Sequence, residues 1–231
     1  MIDIAVVDYG MGNLRSVAKA LEHVAPDLRI AVTGNAGDIA SAQRVVFPGQ
    51  GAMPDCMREL DARRLRGAVL DAAASRPFLG ICIGLQMLFD RSEEGDTAGL
   101  GIMPGRVRRF AMRLGADGQR LKVPHMGWNE VTQAGAHPLW AGIASPSRFY
   151  FVHSYYVETE EPALVAGYSH YPSRFTCAVA RANVFAVQFH PEKSQAAGLA
   201  LLAGFVRWDG TVPAASRDVA AAVRPISGVS A

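Results

Sequence analysis

What this chain lacks narrows it first. Its 231 residues include three cysteines, Cys56, Cys82 and Cys177. An odd, irregularly spaced set is no disulfide framework, and without a Cys-x-x-Cys pair nothing points to a structural zinc site or any other metal. A dominant charge is missing too. With 23 basic and 21 acidic residues the net charge is +2, which offers no basis for nucleic acid or an acidic membrane surface as a partner. No apolar run approaches the ~18 residues of a membrane span. The opening "MIDIAVVDYG" carries Asp3 and Asp8, and its apolar stretch is too short for a secretory signal. There is no internal repeat and no sign of a bound cofactor. The expectation is a soluble, cytoplasmic protein. Half the residues are hydrophobic and 19% are charged, enough to bury a substantial core.

What is present alternates. "IDIAVV" (2–7) is a β-branched apolar run of the kind buried in parallel sheets. After the turn-rich "DYGMGN", Asn13 can cap a helix whose Leu14, Val17, Ala18, Leu21 and Val24 share one face. "LRIAVT" and "RVVFPG" read as further strands. A helical span is expected over about 55–74, then the strand "PFLGI" and a helix over "LQMLFD". Strands alternating with helices predict an open, mostly parallel sheet with helices on both faces. The second half changes character. "GRVRRF", "WNEVTQ", "SRFYFVHSYYVE", "ALVAGYSH", "FTCAVAR" and "VFAVQFH" are successive strand-like runs, which predicts an antiparallel portion. A last helix is expected from Gln195 to Trp208. One α/β domain therefore covers 1–208, and the aperiodic residues 209–231 are expected to be a disordered tail.

One stretch asks for a chemical explanation. "FLGICIGLQMLF" (78–89) sets Cys82 between Gly80 and Gly84 where a strand gives way to a helix. A small sulfur side chain filling a tight corner would explain it. So would a nucleophile elbow, in which a sharp turn demands small neighbours and exposes the nucleophile at the carboxyl edge of the sheet. In that arrangement the following helix aims its positive amino end at the thiol. A thiol also needs a base. Of six histidines, His23 lies on a surface-type helix, His137 and His170 lie in turn-like sequence, and His125 and His153 are ambiguous. His190 ends an apolar strand. Glu192 stands two residues on, across Pro191, on the same side of an extended chain and able to orient an imidazolium. Acyl transfer further needs backbone N–H groups facing a developing oxyanion. One would come from Ile83, after the nucleophile. Another would come from Gln50 or Gly51 in "FPGQG", although an ordinary Pro-Gly turn explains the same letters.

"DYGMGNLRSV", "FPGQGAM", "LGICIGLQMLF", "VPHMGWN", "FYFVHSYY" and "FHPEKS", in this order, resemble the class I, triad-type glutamine amidotransferases. Within them, "DYGMGN", "PHMGWN" and "HPEKS" resemble the glutaminase subunits of imidazole glycerol phosphate synthase. The resemblance spans the chain to about Trp208. It implies that Cys82 attacks the side-chain amide of L-glutamine, that His190 passes protons, and that Glu192 holds His190. Ile83, Gln50 and Gly51 would form the oxyanion hole, and Gln86, Ser154 and Tyr155 would hold the glutamine. Ammonia would pass to a synthase (cyclase) subunit in a heterodimer, with Asn13, Trp128 and Lys193 facing that partner. The partner would make imidazole glycerol phosphate and an aminoimidazole carboxamide ribotide, in histidine biosynthesis. Gln50 departs from the valine frequent in relatives, which a backbone role tolerates. The same triad also suits a stand-alone cysteine hydrolase of γ-glutamyl or peptide bonds.

Overall fold

A computed structural model describes residues 2–111 and 122–212. The first half runs β1 (Ile4–Val7), α1 (Leu14–Val24), β2 (Ile30–Thr33), α2 (Ala36–Ser41), β3 (Arg44–Gly49), α3 (Met53–Ala62), α4 (Arg66–Ser75), β4 (Phe78–Cys82) and the single turn α5 (Ile83–Gln86). β1 lies between β2 and β3, and β3 pairs with β4, all parallel. Every residue of β1 and of β4 is buried, as expected of strands covered on both faces. The chain steps one way from β1 to β2, then back across β1 to β3 and on to β4. Right-handed crossovers then carry α1 to one face of the sheet and α2, α3 and α4 to the other.

The second half continues with β5 (Phe89–Ser92), β6 (Thr97–Ala98), β7 (Met103–Arg109), β8 (His125–Gln133), β9 (Ser147–His153), β10 (Tyr155–Glu158), β11 (Val165–His170), β12 (Arg174–Arg181), β13 (Val184–Val187) and α6 (Gln195–Arg207). β13 joins the two halves. It runs parallel to β4 on one side and antiparallel to β12 on the other. Beyond β12 the sheet continues through β10, β7, β5 and β6, while β11, β8 and β9 branch from β12 as an antiparallel layer. α6 returns to pack beside α1. The fold class is as expected: α/β, mostly parallel through the first half, with antiparallel strands added in the second.

Three local expectations need correction. The helical span over 55–74 is two helices, separated by a turn in which Arg64 takes φ 57°. A short helix, α2, went unread between the second and third strands. The helix expected over "LQMLFD" does not form: α5 stops at Gln86 and β5 begins at Phe89. Met87, Leu88 and Phe89 are fully buried, so the run is apolar all round and its period is ambiguous. The returning chain takes the carbonyls a helix would use, through Leu100 N–H to Met87 at 2.8 Å and Ile102 N–H to Leu88 at 2.8 Å. The chain is described as far as Val212. The expected disorder of the tail falls mostly on 213–231, outside the described residues.

Candidate active site

The elbow arises from close packing at the end of β4. Cys82 adopts φ 57°, ψ −111°, a region costly for a residue with a side chain and usually held in place by its surroundings. What holds it is the contact between α5 and β3. A Cβ on Gly84 would stand 1.9 Å from the Phe47 carbonyl oxygen, and one on Gly80 2.9 Å from the Ala186 Cβ. The flanking glycines are therefore demanded by backbone approach, as the elbow reading requires. Behind the thiol, however, the helix is a single turn. The aligned dipole expected there is short, and side chains contribute the nearby polarity instead.

Sheet register brings the other groups to the thiol. Gly49 pairs with Cys82 across β3 and β4. On the other side Val187 pairs with Ile81, so the next residue, Gln188, falls beside Cys82. Its Nε2 donates to the Cys82 sulfur at 3.7 Å. Two residues further, His190 is buried. Its Nδ1 lies 2.9 Å from Glu192 Oε1, with only 7% and 1% of the two side chains exposed. His190 Nε2, the ring nitrogen left over, is buried with no hydrogen-bond partner among the described residues. Burial alone would lower the His190 pKa. The Cys82 sulfur and the Glu192 carboxylate outweigh it and raise it to about 10, so the setting favours the charged imidazolium.

The pair does not lie on the extended chain expected: Pro191–Lys193 forms a single 3₁₀ turn, closed by Lys193 N–H to the His190 carbonyl at 3.0 Å, and that turn is tied down. Ser194 Oγ donates to the His190 carbonyl at 2.6 Å and accepts from Tyr150 N–H at 3.0 Å. His190 N–H donates to the Tyr150 carbonyl at 2.9 Å.

Cys82, Ile83, Gln50, Gly51, Gln86, Ser154, Tyr155, His190 and Lys193 all line one cavity of about 350 Å³. Gly51 has φ +100°, a conformation that favours glycine. The Gln50 carbonyl accepts from the Cys56 thiol at 3.4 Å, so Cys56 is buried but not idle; burial pushes its pKa up to about 11. Gln86 Nε2 donates to the Tyr155 carbonyl at 3.2 Å and to Gln188 Oε1 at 3.0 Å. Its own Oε1 is buried without a partner among the described residues. Glu192 sits behind His190, away from the cavity lining. Trp128 is 38% exposed and meets the edge of Tyr150, a cavity residue that Lys193 Nζ approaches at 5.9 Å from the ring centroid. Asn13 precedes α1 but makes no side-chain capping bond, and it does not line the cavity. Among the described residues no group of three or more His, Cys, Asp or Glu could hold a metal ion.

Gln188 went unnoticed in the sequence. The available signal was one polar side chain in the apolar run "VFAVQFH", two residues before the candidate base. Glu94, Pro124, Tyr150 and Val152 also line the cavity, and no local pattern marks them.

Against known proteins, residues 5–207 match the family model for glutamine amidotransferase class-I. The chain belongs to this family. Two curated relatives of this class-I amidotransferase are each named imidazole glycerol phosphate synthase subunit HisH. The protein from Nitrosospira multiformis is 70% identical over 210 residues, covering 90% of this chain and 99% of the relative. That from Aromatoleum aromaticum is 67% identical, with the same coverage. Solved structures share the class-I amidotransferase fold at lower identity. PurLQS from Thermotoga maritima superposes with a TM-score of 0.67 at 17% identity, covering 89% of this chain and 98% of that one. A putative GMP synthase subunit from Thermoplasma acidophilum gives 0.64 at 19%, covering 89% and 92%.

Proposed function

We propose that this amidotransferase is the glutaminase subunit of an imidazole glycerol phosphate synthase, and that it works in the cytoplasm with a separate synthase (cyclase) subunit. The observation that carries the chemistry is the convergence of Cys82 and His190, the latter backed by Glu192, on one cavity from neighbouring strands. The choice of this subunit is supported by relatives of that name at 60% identity and above over nine-tenths of the chain.

The steps follow from the groups present. L-glutamine enters with its carboxamide at Cys82. Gln86 Oε1 accepts an N–H from it, and the Ser154–Tyr155 backbone flanks it. The Cys82 thiolate attacks the carboxamide carbon, and the carbonyl oxygen becomes an oxyanion. Backbone N–H groups of Ile83 and of the Gln50–Gly51 segment stabilise that charge, and donors aimed at a developing oxyanion are usually the largest single contribution to such catalysis. The His190 imidazolium gives its proton to the departing nitrogen, and ammonia leaves behind a thioester. His190, now neutral, takes a proton from water as it attacks the thioester. A second oxyanion collapses, glutamate is released and the Cys82 thiolate–His190 imidazolium pair is restored. Glu192 fixes the ring so that Nε2 faces the sulfur in both steps. Trp128 and Lys193, near the cavity-lining Tyr150, are the residues we place against the synthase subunit, with Asn13 at the edge of that face.

The test is glutamate release from glutamine, with and without a synthase subunit and its nucleotide ligand, using Cys82→Ala as the blank. Hydrolysis that rises with the partner and vanishes in the variant is expected. Equal rates with and without the partner would favour a stand-alone cysteine hydrolase. No hydrolysis with a cognate partner would remove the glutaminase reading.

A further inference from the structure

A line of buried polar groups runs from β8 to the nucleophile, and the direction of each hydrogen bond in it can be derived. The Tyr155 carbonyl can only accept, so His153 Nδ1, 2.7 Å away, carries a proton. The other nitrogen of a neutral imidazole is an acceptor. His125 Nδ1, 2.9 Å from His153 Nε2, therefore donates to it. His125 Nε2 is then an acceptor, and Asn129 Nδ2 lies 3.2 Å from it. Asn129 Nδ2 also donates to the His170 carbonyl at 2.8 Å, which identifies it as the nitrogen independently. The assignments from the two ends agree.

On the other side, the Tyr155 carbonyl takes Gln86 Nε2 at 3.2 Å. This decides which end of that carboxamide faces β10. The second N–H of the same nitrogen goes to Gln188 Oε1 at 3.0 Å. With its oxygen committed, Gln188 can turn only its amino group toward Cys82, where Nε2 lies 3.7 Å from the sulfur. Gln86 and Gln188 are 1% and 0% exposed, so neither can satisfy a reversed amide with bulk water. Both histidines are neutral at physiological pH, as the alternation of donors and acceptors requires, because burial lowers His125 to about 4 and His153 to about 3.

We propose that this line of hydrogen bonds is a positioning device that keeps an N–H on the Cys82 sulfur and so favours the thiolate. His153, set by His125, aims the Tyr155 carbonyl. That carbonyl orients Gln86, Gln86 orients Gln188, and Gln188 donates to the reacting atom. Gln188 is the catalytic contact; Gln86, His153 and His125 are positioning residues. His190 after β13, Tyr9 after β1 and Cys56 on α3 also act electrostatically on the sulfur, and Glu94 and Lys193 line the same cavity. A polar donor on a buried sulfur matters here because the one-turn α5 offers so little dipole.

The inference rests on Cys82 being the nucleophile. Its test reads the thiol and not glutamine turnover, so its failure would leave the glutaminase reading intact. The full-length protein is alkylated with iodoacetamide across a range of pH, and the rate is followed on the peptide that contains Cys82. Gln188→Met and Gln188→Glu should move the rising limb up by one pH unit or more, slowing alkylation about tenfold at a given pH on that limb, because only the thiolate reacts. Gln188→Glu should move it further, since an ionised carboxylate then faces the sulfur. His153→Phe keeps a ring in the aromatic stack but removes the donor to Tyr155, and should shift the limb the same way. Profiles of folded Gln188 variants that coincide with the wild type would overturn the proposal. An unmoved His153→Phe profile would overturn its upstream half. A measurement free of substitution also decides it: in the ¹⁵N-labelled wild type, the Gln188 side-chain amide resonances should titrate with the midpoint seen for alkylation. Resonances that stay constant across that range would overturn it as well.

Discussion

At the scale of single residues, the site depends on atoms that have nowhere else to go. Gly84 is the sharpest case, because a methyl group there would overlap the Phe47 carbonyl 1.9 Å away. Gly84→Ala is expected to cost about 3 kcal/mol or more, at the upper end of overpacking effects. A fall in the urea midpoint measures it, and glutamine hydrolysis should be lost even below that midpoint. Glu192→Gln tests orientation and charge separately from packing. The shape is kept, but His190 loses its anionic partner at 2.9 Å. By analogy with other triads the fall in kcat is on the order of 10²-fold or more, with KM little changed. A steady-state pH profile is the measurement. The alkaline limb should move down, because the carboxylate is one of the groups that hold His190 up toward 10.

At the scale of elements, the turn after β13 carries both His190 and Glu192, and Ser194 ties it to β9. Ser194→Ala removes two hydrogen bonds at a residue 1% exposed and leaves the Tyr150 N–H without its acceptor. The expected cost is about 1–3 kcal/mol, read by thermal or urea unfolding, together with reduced glutaminase activity as the turn loosens. Much of the element order was legible because apolar runs and turn residues speak locally: β1, β3, β4, α1 and α6 all lie where the pattern put them. The elbow was legible for the same reason, since glycine, cysteine and glycine adjoin in sequence, as do His190 and Glu192. What could not be read was set by partners far along the chain. The helix expected over "LQMLFD" loses to strand pairing with β7, and a run apolar on every side carries no period to say so. Gln188 matters only because β13 is in register with β4, and "SRFYFVHSYYVE" breaks into β9 and β10 at Ser154 because two different sheet neighbours claim its halves.

At the scale of the whole molecule, buried histidines couple folding to pH in two windows of opposite sign. His125, His137 and His153 are lowered to about 4, 4 and 3 by burial. In the unfolded chain they bind protons below about 6.5. Between about 6.5 and 4 the unfolded state therefore takes up more protons, and stability falls as the pH falls, by up to about 2 kcal/mol for each histidine at pH 5. His190 behaves the other way. Raised to about 10, it contributes stability that is complete below about 6.5 and is lost as the pH rises toward 10. Urea midpoints at pH 5, 7 and 9 should be highest near 7, and His137→Phe should flatten the acid arm. β13 has a further consequence, for synthesis. Gln188 follows Cys82 by 106 positions, and β13 is the strand that completes one edge of β4. A nascent chain therefore carries Cys82 through the next 106 residues of synthesis without Gln188 beside it, and still without the His190–Glu192 pair that follows β13. Until then the thiol has no base, and ammonia can be released only by chains in which β13 and the turn after it have been made.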